Sequence, residues 1–199
     1  FVSSDFSMLN SRLAKHYRIP GVKGIEFRKV SLPRESHRGG VLTMAAVLKV
    51  TANGTTTSPV LRGAWVLDRI LGMPPPKPTS DIEAIEPDIR GATTIREQLA
   101  KHRQVASCAS CHEKIDPPGF ALESFDVIGG WREHYRSIGK GEPVMVDGQR
   151  MRYRNGPPVD ASGVLPNGQE FQDIDEYKQL LLADQDQLAR SLASKLVGY

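Results

Sequence analysis

The stretch that most restricts this chain is Cys108-Ala109-Ser110-Cys111-His112, which uses both cysteines of a 199-residue sequence. Two thiols at this spacing on one turn of helix can reach the two vinyl groups along one porphyrin edge, and the imidazole behind them can bind the iron. No other common cofactor needs these three groups in this order. A structural zinc site calls for four ligands; His102 and His112 would have to complete the set, and His112 is too close to Cys111 for a relaxed tetrahedron. A thioredoxin-like redox pair would follow a strand in a βαβ setting, which the flanking sequence does not offer. A disulfide across two intervening residues is strained. The motif predicts one covalent haem c, tethered by Cys108 and Cys111, with His112 on the iron. Thioether attachment is made outside the cytoplasm, so the motif also predicts a periplasmic or otherwise exported protein. The opening residues FVSSDFSMLNS carry no signal-peptide pattern, and the sequence reads as a mature piece or part of something longer.

Composition narrows the partners. Hydrophobic residues are 39% and charged residues 25%, the profile of a globular protein. The formal charge of +3 comes from interleaved acids and bases, which gives no argument for a nucleic-acid partner. No apolar run approaches the length of a membrane span. No paired catalytic carboxylates, Ser/His/Asp arrangement or phosphate loop is evident.

Along the chain, Phe6, Leu9 and Leu13 recur at helical spacing behind Ser3 or Ser4, which predicts an opening helix ended by Pro20-Gly21. Residues 25–30 alternate like a strand. VLTMAAVLKV, Val41 to Val50, is apolar nearly all round and predicts a buried helix. Ser58-Pro59 predicts a capped helix that stops at Gly72. Thr93 or Thr94 predicts the cap of another, leading into the cysteine motif. The stretch from Trp131 to about Pro158 reads as a polar loop, VDASGVLPNGQEF as a hairpin around Asn167-Gly168, and the end as helical. The acidic group Asp173, Asp175 and Glu176 reads as a helix N-terminal charge pattern. Together these predict a mainly α, cytochrome-c-like haem domain with a few short strands and an N-terminal helical segment packed on it. The predicted organisation is a helical segment over 1–73, a Pro-rich connector over 74–92 and the haem domain over 93–199.

Several blocks resemble a known family. HRGGVLTMAAVLKVTANGTTTSPVLRGAWVLDRILGMPPPKP, TIREQLAKHRQVASCASCHEKIDPPGFALESFDVIGGWRE and VDASGVLPNGQEF are similar to the C-terminal region of the large c-type cytochrome proteins of planctomycete type, which carry several domains of unknown function. The resemblance implies a periplasmic haem protein and supplies no substrate. The segment from about Ile138 to Pro158 looks longer than the family's usual link.

The iron needs a second axial ligand, an apolar slot and partners for its propionates. Met44, within the apolar segment LTMAAVL, is the first candidate for the sixth position, and the resemblance favours it, the family having Met, His or Gln there. Met73 and His102 follow, then Met8, Met145, Met151, His16, His37 and His134. Pro117 can accept the Nδ1 hydrogen of His112 on a backbone carbonyl. Phe120, with Leu122 and Phe125, is expected to line the slot. Arg62 and Trp65, with Trp131 and Arg132, are donors that could hold propionates, against the more usual roles of a surface salt bridge or a core indole. The functional expectation is an electron-transfer module served by a redox partner or by other domains of a longer parent chain. The alternatives are a haem enzyme with an open sixth site and a haem-stabilised interaction module.

Overall fold

A computed structural model describes residues 1–76, 93–146 and 148–198. The opening is not the expected helix. Strand β1 (Phe6–Leu9) pairs antiparallel with β2 (Arg28–Ser31), Phe6 opposite Ser31. Asn10 then caps α1 (Ser11–His16), its side chain accepting the Leu13 N–H. The helical spacing misled because residues of both elements reach one small cluster: Leu9 from the strand, Ala14 from the helix, then Tyr17 and Ile19.

The apolar run at Val41 is also divided. A 3₁₀ turn, Val41–Thr43, is followed at Met44 by extended backbone with ψ of 130° and then by α2 (Ala45–Val50). Leu42 and Leu48 are sealed in the core, whereas Met44 and Val50 are exposed. The next helix follows its local signals. Ser58 accepts the Leu61 N–H, Pro59 opens α3 (Pro59–Trp65), and a π-helical stretch, Val66–Ile70, continues it to Gly72. The connector expected at 74–92 lies outside the described residues from 77 onward.

Helix α4 (Ile95–His102) starts with a capping box between Thr94 and Glu97. Helix α5 (Ala106–Phe120) carries the cysteine motif and contains Pro117 and Pro118. These prolines leave the carbonyls of residues 113 and 114 without their helical donors. Glu113 and Lys114 are exposed, so water can serve those carbonyls.

The expected polar loop after Trp131 is instead a three-stranded antiparallel sheet. It contains β3 (His134–Ser137), β4 (Glu142–Val146) and β5 (Gln149–Pro158), in the order β3-β5-β4. A hairpin of β6 (Gly163–Val164) and β7 (Glu170–Phe171) turns at Asn167-Gly168, where Gly168 has φ +84°. Helices α6 (Ile174–Ala183) and α7 (Gln185–Val197) close the chain. Among the described residues helix makes up 41% and strand 20%, the strands lying in three small sheets. The expectation of a mainly α, cytochrome-c-like fold is therefore corrected to a mixed α and β architecture.

One core spans both sides of the connector. Val2, Leu42, Leu48, Val66 and Ile70 pack with Leu122, Phe125, Phe171, Ile174, Tyr177 and Leu181. At its edge α3 crosses α5 with almost no space between the backbones. Gly63 lies against the carbonyl of Ile115, and Gly119 against that of Pro59, so a side chain at either glycine would collide. Among the described residues no helix is long and apolar enough to cross a membrane.

Candidate functional site

The motif lies on the N-terminal half of α5. Cys108 and Cys111 are three residues apart and so share one helical side. Both are half-buried and neither is in a disulfide. One turn after His112 comes Asp116. The His112 Nδ1–H donates to Asp116 Oδ1 at 2.8 Å. The Asp116 side chain is wholly buried and that of His112 is 13% exposed. Arg103 Nε lies 3.8 Å from Asp116 Oδ2. Burial pushes the Asp116 carboxyl above its ordinary range, while His112, Arg103 and Arg96 pull against that shift. The His102 ring meets His112 edge-on, their centroids 4.9 Å apart.

This arrangement corrects the role given to Pro117. The acceptor for His112 is the Asp116 carboxylate, and the Pro117 carbonyl receives the Ala121 N–H. With Nδ1 engaged, Nε2 is the nitrogen left to ligate. Two thiols on one side of a helix and a histidine with its Nδ1 committed fit the donor set of a haem c. They do not fit the zinc alternative. Among the described residues the cysteines and His112 join no convergent group of potential ligands; such a group is formed by His37, Asp173 and Asp175. There Asp173 caps α6, and Lys178 Nζ already lies 3.3 Å from Asp175 Oδ1, so a cation holds that place.

The other expected haem contacts are not gathered around His112. Arg62 is 0% exposed. Its NH1 donates to Glu123 Oε1 at 3.2 Å and to the carbonyls of Leu122 and Phe125, and its NH2 to the carbonyl of Asp126. Burial lowers the Arg62 pKa to about 10, with Glu123 working in the opposite direction. Arg132 NH2 binds the same carboxylate at Oε2 and also Thr57 Oγ1. Both arginines thus clamp Glu123 and the turn that follows α5, in salt bridges that are buried rather than at the surface. Trp65 packs half-buried against the main core, and Trp131 stacks on His37 at 4.1 Å. Phe120 packs with Ile95 and Leu99 of α4, under the guanidinium of Arg96.

Met44 is 46% exposed, and Met8, Met73, Met145 and Met151 are exposed as well. Its neighbour Ala45 donates its N–H to the Tyr17 hydroxyl and lies against Gly129. That neighbourhood is built on the loop after α5, whereas His112 stands about 12 Å of helix before Phe120. Met44 thus lies exposed beside the loop after α5.

Asp116 and Glu123 were not singled out from the sequence. Asp116 had a readable signal, since an acid four residues after a histidine on a helix faces it. Glu123 had none, because its partners come from residues 57, 62 and 132.

Residues 38–135 match the family PSCyt3, described as a protein of unknown function (DUF1588). The match contains the cysteine motif, Asp116 and the Arg62–Glu123–Arg132 clamp, and it ends inside β3. No curated protein and no solved structure matches the chain.

Proposed function

We propose that this chain is a redox module outside the cytoplasm that carries one covalent haem c on α5. The observation that carries the reading is the Cys108-Ala109-Ser110-Cys111-His112 motif on a helix, with His112 Nδ1 bonded to Asp116. Each thiol would add across a vinyl double bond, its sulfur bonding one carbon and its hydrogen ending on the other. His112 would supply the proximal nitrogen through Nε2. The haem would supply a one-electron iron centre. The helix would hold the two tethers and the ligand in fixed order, and Arg62 and Arg132 would keep the end of that helix in place through Glu123.

The test is expression with a competent cytochrome c maturation system. The purified chain should exceed its sequence mass by one haem and keep that mass under denaturing conditions. Cys108→Ala/Cys111→Ala should lose it. A full-length chain that gains no haem overturns the reading.

A second reading has one observation in its favour. All five methionines have exposed side chains, so none is fixed by core packing at a sixth position. An open sixth position would suit an oxidoreductase that binds a small molecule at the iron. Added carbon monoxide or cyanide separates the two readings. A spectrum that does not respond supports electron transfer, and prompt binding supports the open site. Met44→Ala tests the sixth ligand expected from the sequence: a changed oxidised spectrum and midpoint potential support Met44, and unchanged ones rule it out.

A further inference from the structure

Resting on the haem reading above, we propose that Asp116 is the positioning residue of the iron site. Through His112 Nδ1 it fixes the imidazole with Nε2 toward the metal and makes that ligand electron-rich, lowering the reduction potential of the centre.

Three observations converge on it. The contact is short, 2.8 Å, and spans one helical turn, so the backbone of α5 sets its geometry. It is sheltered, with Asp116 wholly buried and His112 nearly so, which leaves little water to compete for either partner. The carboxylate is also undivided. Oδ2 has no hydrogen-bond partner among the described residues and faces Arg103 Nε at 3.8 Å. A buried carboxylate is expensive unless it is fully paired, and an ordinary structural aspartate gathers donors on both oxygens, as Asp126 does from Ile128, Gly130 and Arg136. Asp116 directs its one hydrogen bond at the histidine of the motif.

The chemistry follows from the direction of that bond. A carboxylate accepting the Nδ1 hydrogen draws the imidazole toward imidazolate and strengthens donation from Nε2. A stronger donor stabilises the oxidised iron more than the reduced iron, so the potential falls. A neutral acceptor, such as the Pro117 carbonyl expected from the sequence, would do this less.

The test compares haem-loaded wild type, Asp116→Asn and Arg103→Gln by mass, midpoint potential and the iron–histidine stretching frequency of the reduced, five-coordinate form. Asp116→Asn should keep its haem mass, raise the potential and lower the frequency, and Asp116→Glu should move both partway back. Arg103 is partly exposed, so its replacement tests the proposal without emptying the core. Removing its charge strengthens Asp116 as an acceptor, so Arg103→Gln should lower the potential and raise the frequency. Haem-loaded Asp116→Asn and Arg103→Gln with wild-type potential and frequency overturn the role of Asp116 while the haem reading stands. A wild type that gains no haem overturns both.

Discussion

Arg62 and Glu123 form an ion pair in which neither side chain has any contact with solvent, NH1 lying 3.2 Å from Oε1. A charge in that position tolerates no loss of its partner. Arg62→Ala would leave Glu123 with Arg132 and Thr57 and would strip donors from three backbone carbonyls. Breaking a buried pair from one side costs about 3–5 kcal/mol. Denaturant unfolding of Arg62→Ala is expected to show a loss in that range. A loss below about 1 kcal/mol, the size of an exposed ion pair, would contradict the clamp.

The crossing of α3 and α5 rests on two glycines. A Cβ at Gly63 meets the Ile115 carbonyl, and one at Gly119 meets the Pro59 carbonyl. Backbone cannot move aside as a flexible side chain can, so Gly63→Ala and Gly119→Ala are each expected to cost about 3 kcal/mol or more. Gly54→Ala is a control for handling, because nothing lies near its Cβ position; its φ of +80° still exacts a smaller local strain. Thermal unfolding of the three variants checks the order.

Tyr177 offers the opposite case. It lies fully within the main core, and its hydroxyl has no hydrogen-bond partner among the described residues. Burial raises its pKa well above that of a free phenol. Removing an unsatisfied buried hydroxyl while keeping the ring relieves a desolvation penalty. Tyr177→Phe is expected to be neutral or to stabilise the chain by about 1 kcal/mol. A marked loss in equilibrium unfolding would show that the hydroxyl has a partner of consequence.

The start of α4 carries a pH dependence. The backbone N–H of Thr94 and then its hydroxyl hold the Glu97 carboxyl below its ordinary value of 4.5. A depressed carboxylate contributes stability that is fully present above the unfolded-state value and is lost as pH falls through the folded value. Glu97→Gln keeps an acceptor without the charge. The advantage of wild type over Glu97→Gln, measured by unfolding across an acid titration, is expected to be constant near neutrality and to shrink below the ordinary carboxylate value. An advantage independent of pH would assign the cap's effect to something other than the charge.

What could be read from the sequence was local. Ser58-Pro59, Thr93 or Thr94, and Asn167-Gly168 each act within four residues, and each starts or turns the element it predicted, with Thr94 as the cap. The sheet over 134–158 was missed because its strands β4 and β5 bury no regular face. Met145, Val146, Arg150 and Arg152 are all exposed, so the alternation that marks a half-buried strand is absent. The same division applies to the site. The two cysteines and His112 declare themselves by spacing. Arg62 finds Glu123 across 61 residues, and no pattern short of the fold joins them. Met44 looked like a buried ligand because its neighbours are apolar, but the backbone turns at that residue and leaves it at the surface.

The core that joins Val2, Val66 and Ile70 to Phe171 and Tyr177 also sets an order of events during synthesis. Val66 and Ile70 have left the ribosome long before Leu122, and longer still before Tyr177. Until then the apolar side of the α3 segment has nothing to cover it. The residues through α6 must therefore be made before the α3 segment gains its permanent neighbours. A premature stop anywhere before α6 leaves a species with an open core, suited to chaperones and proteases rather than to function.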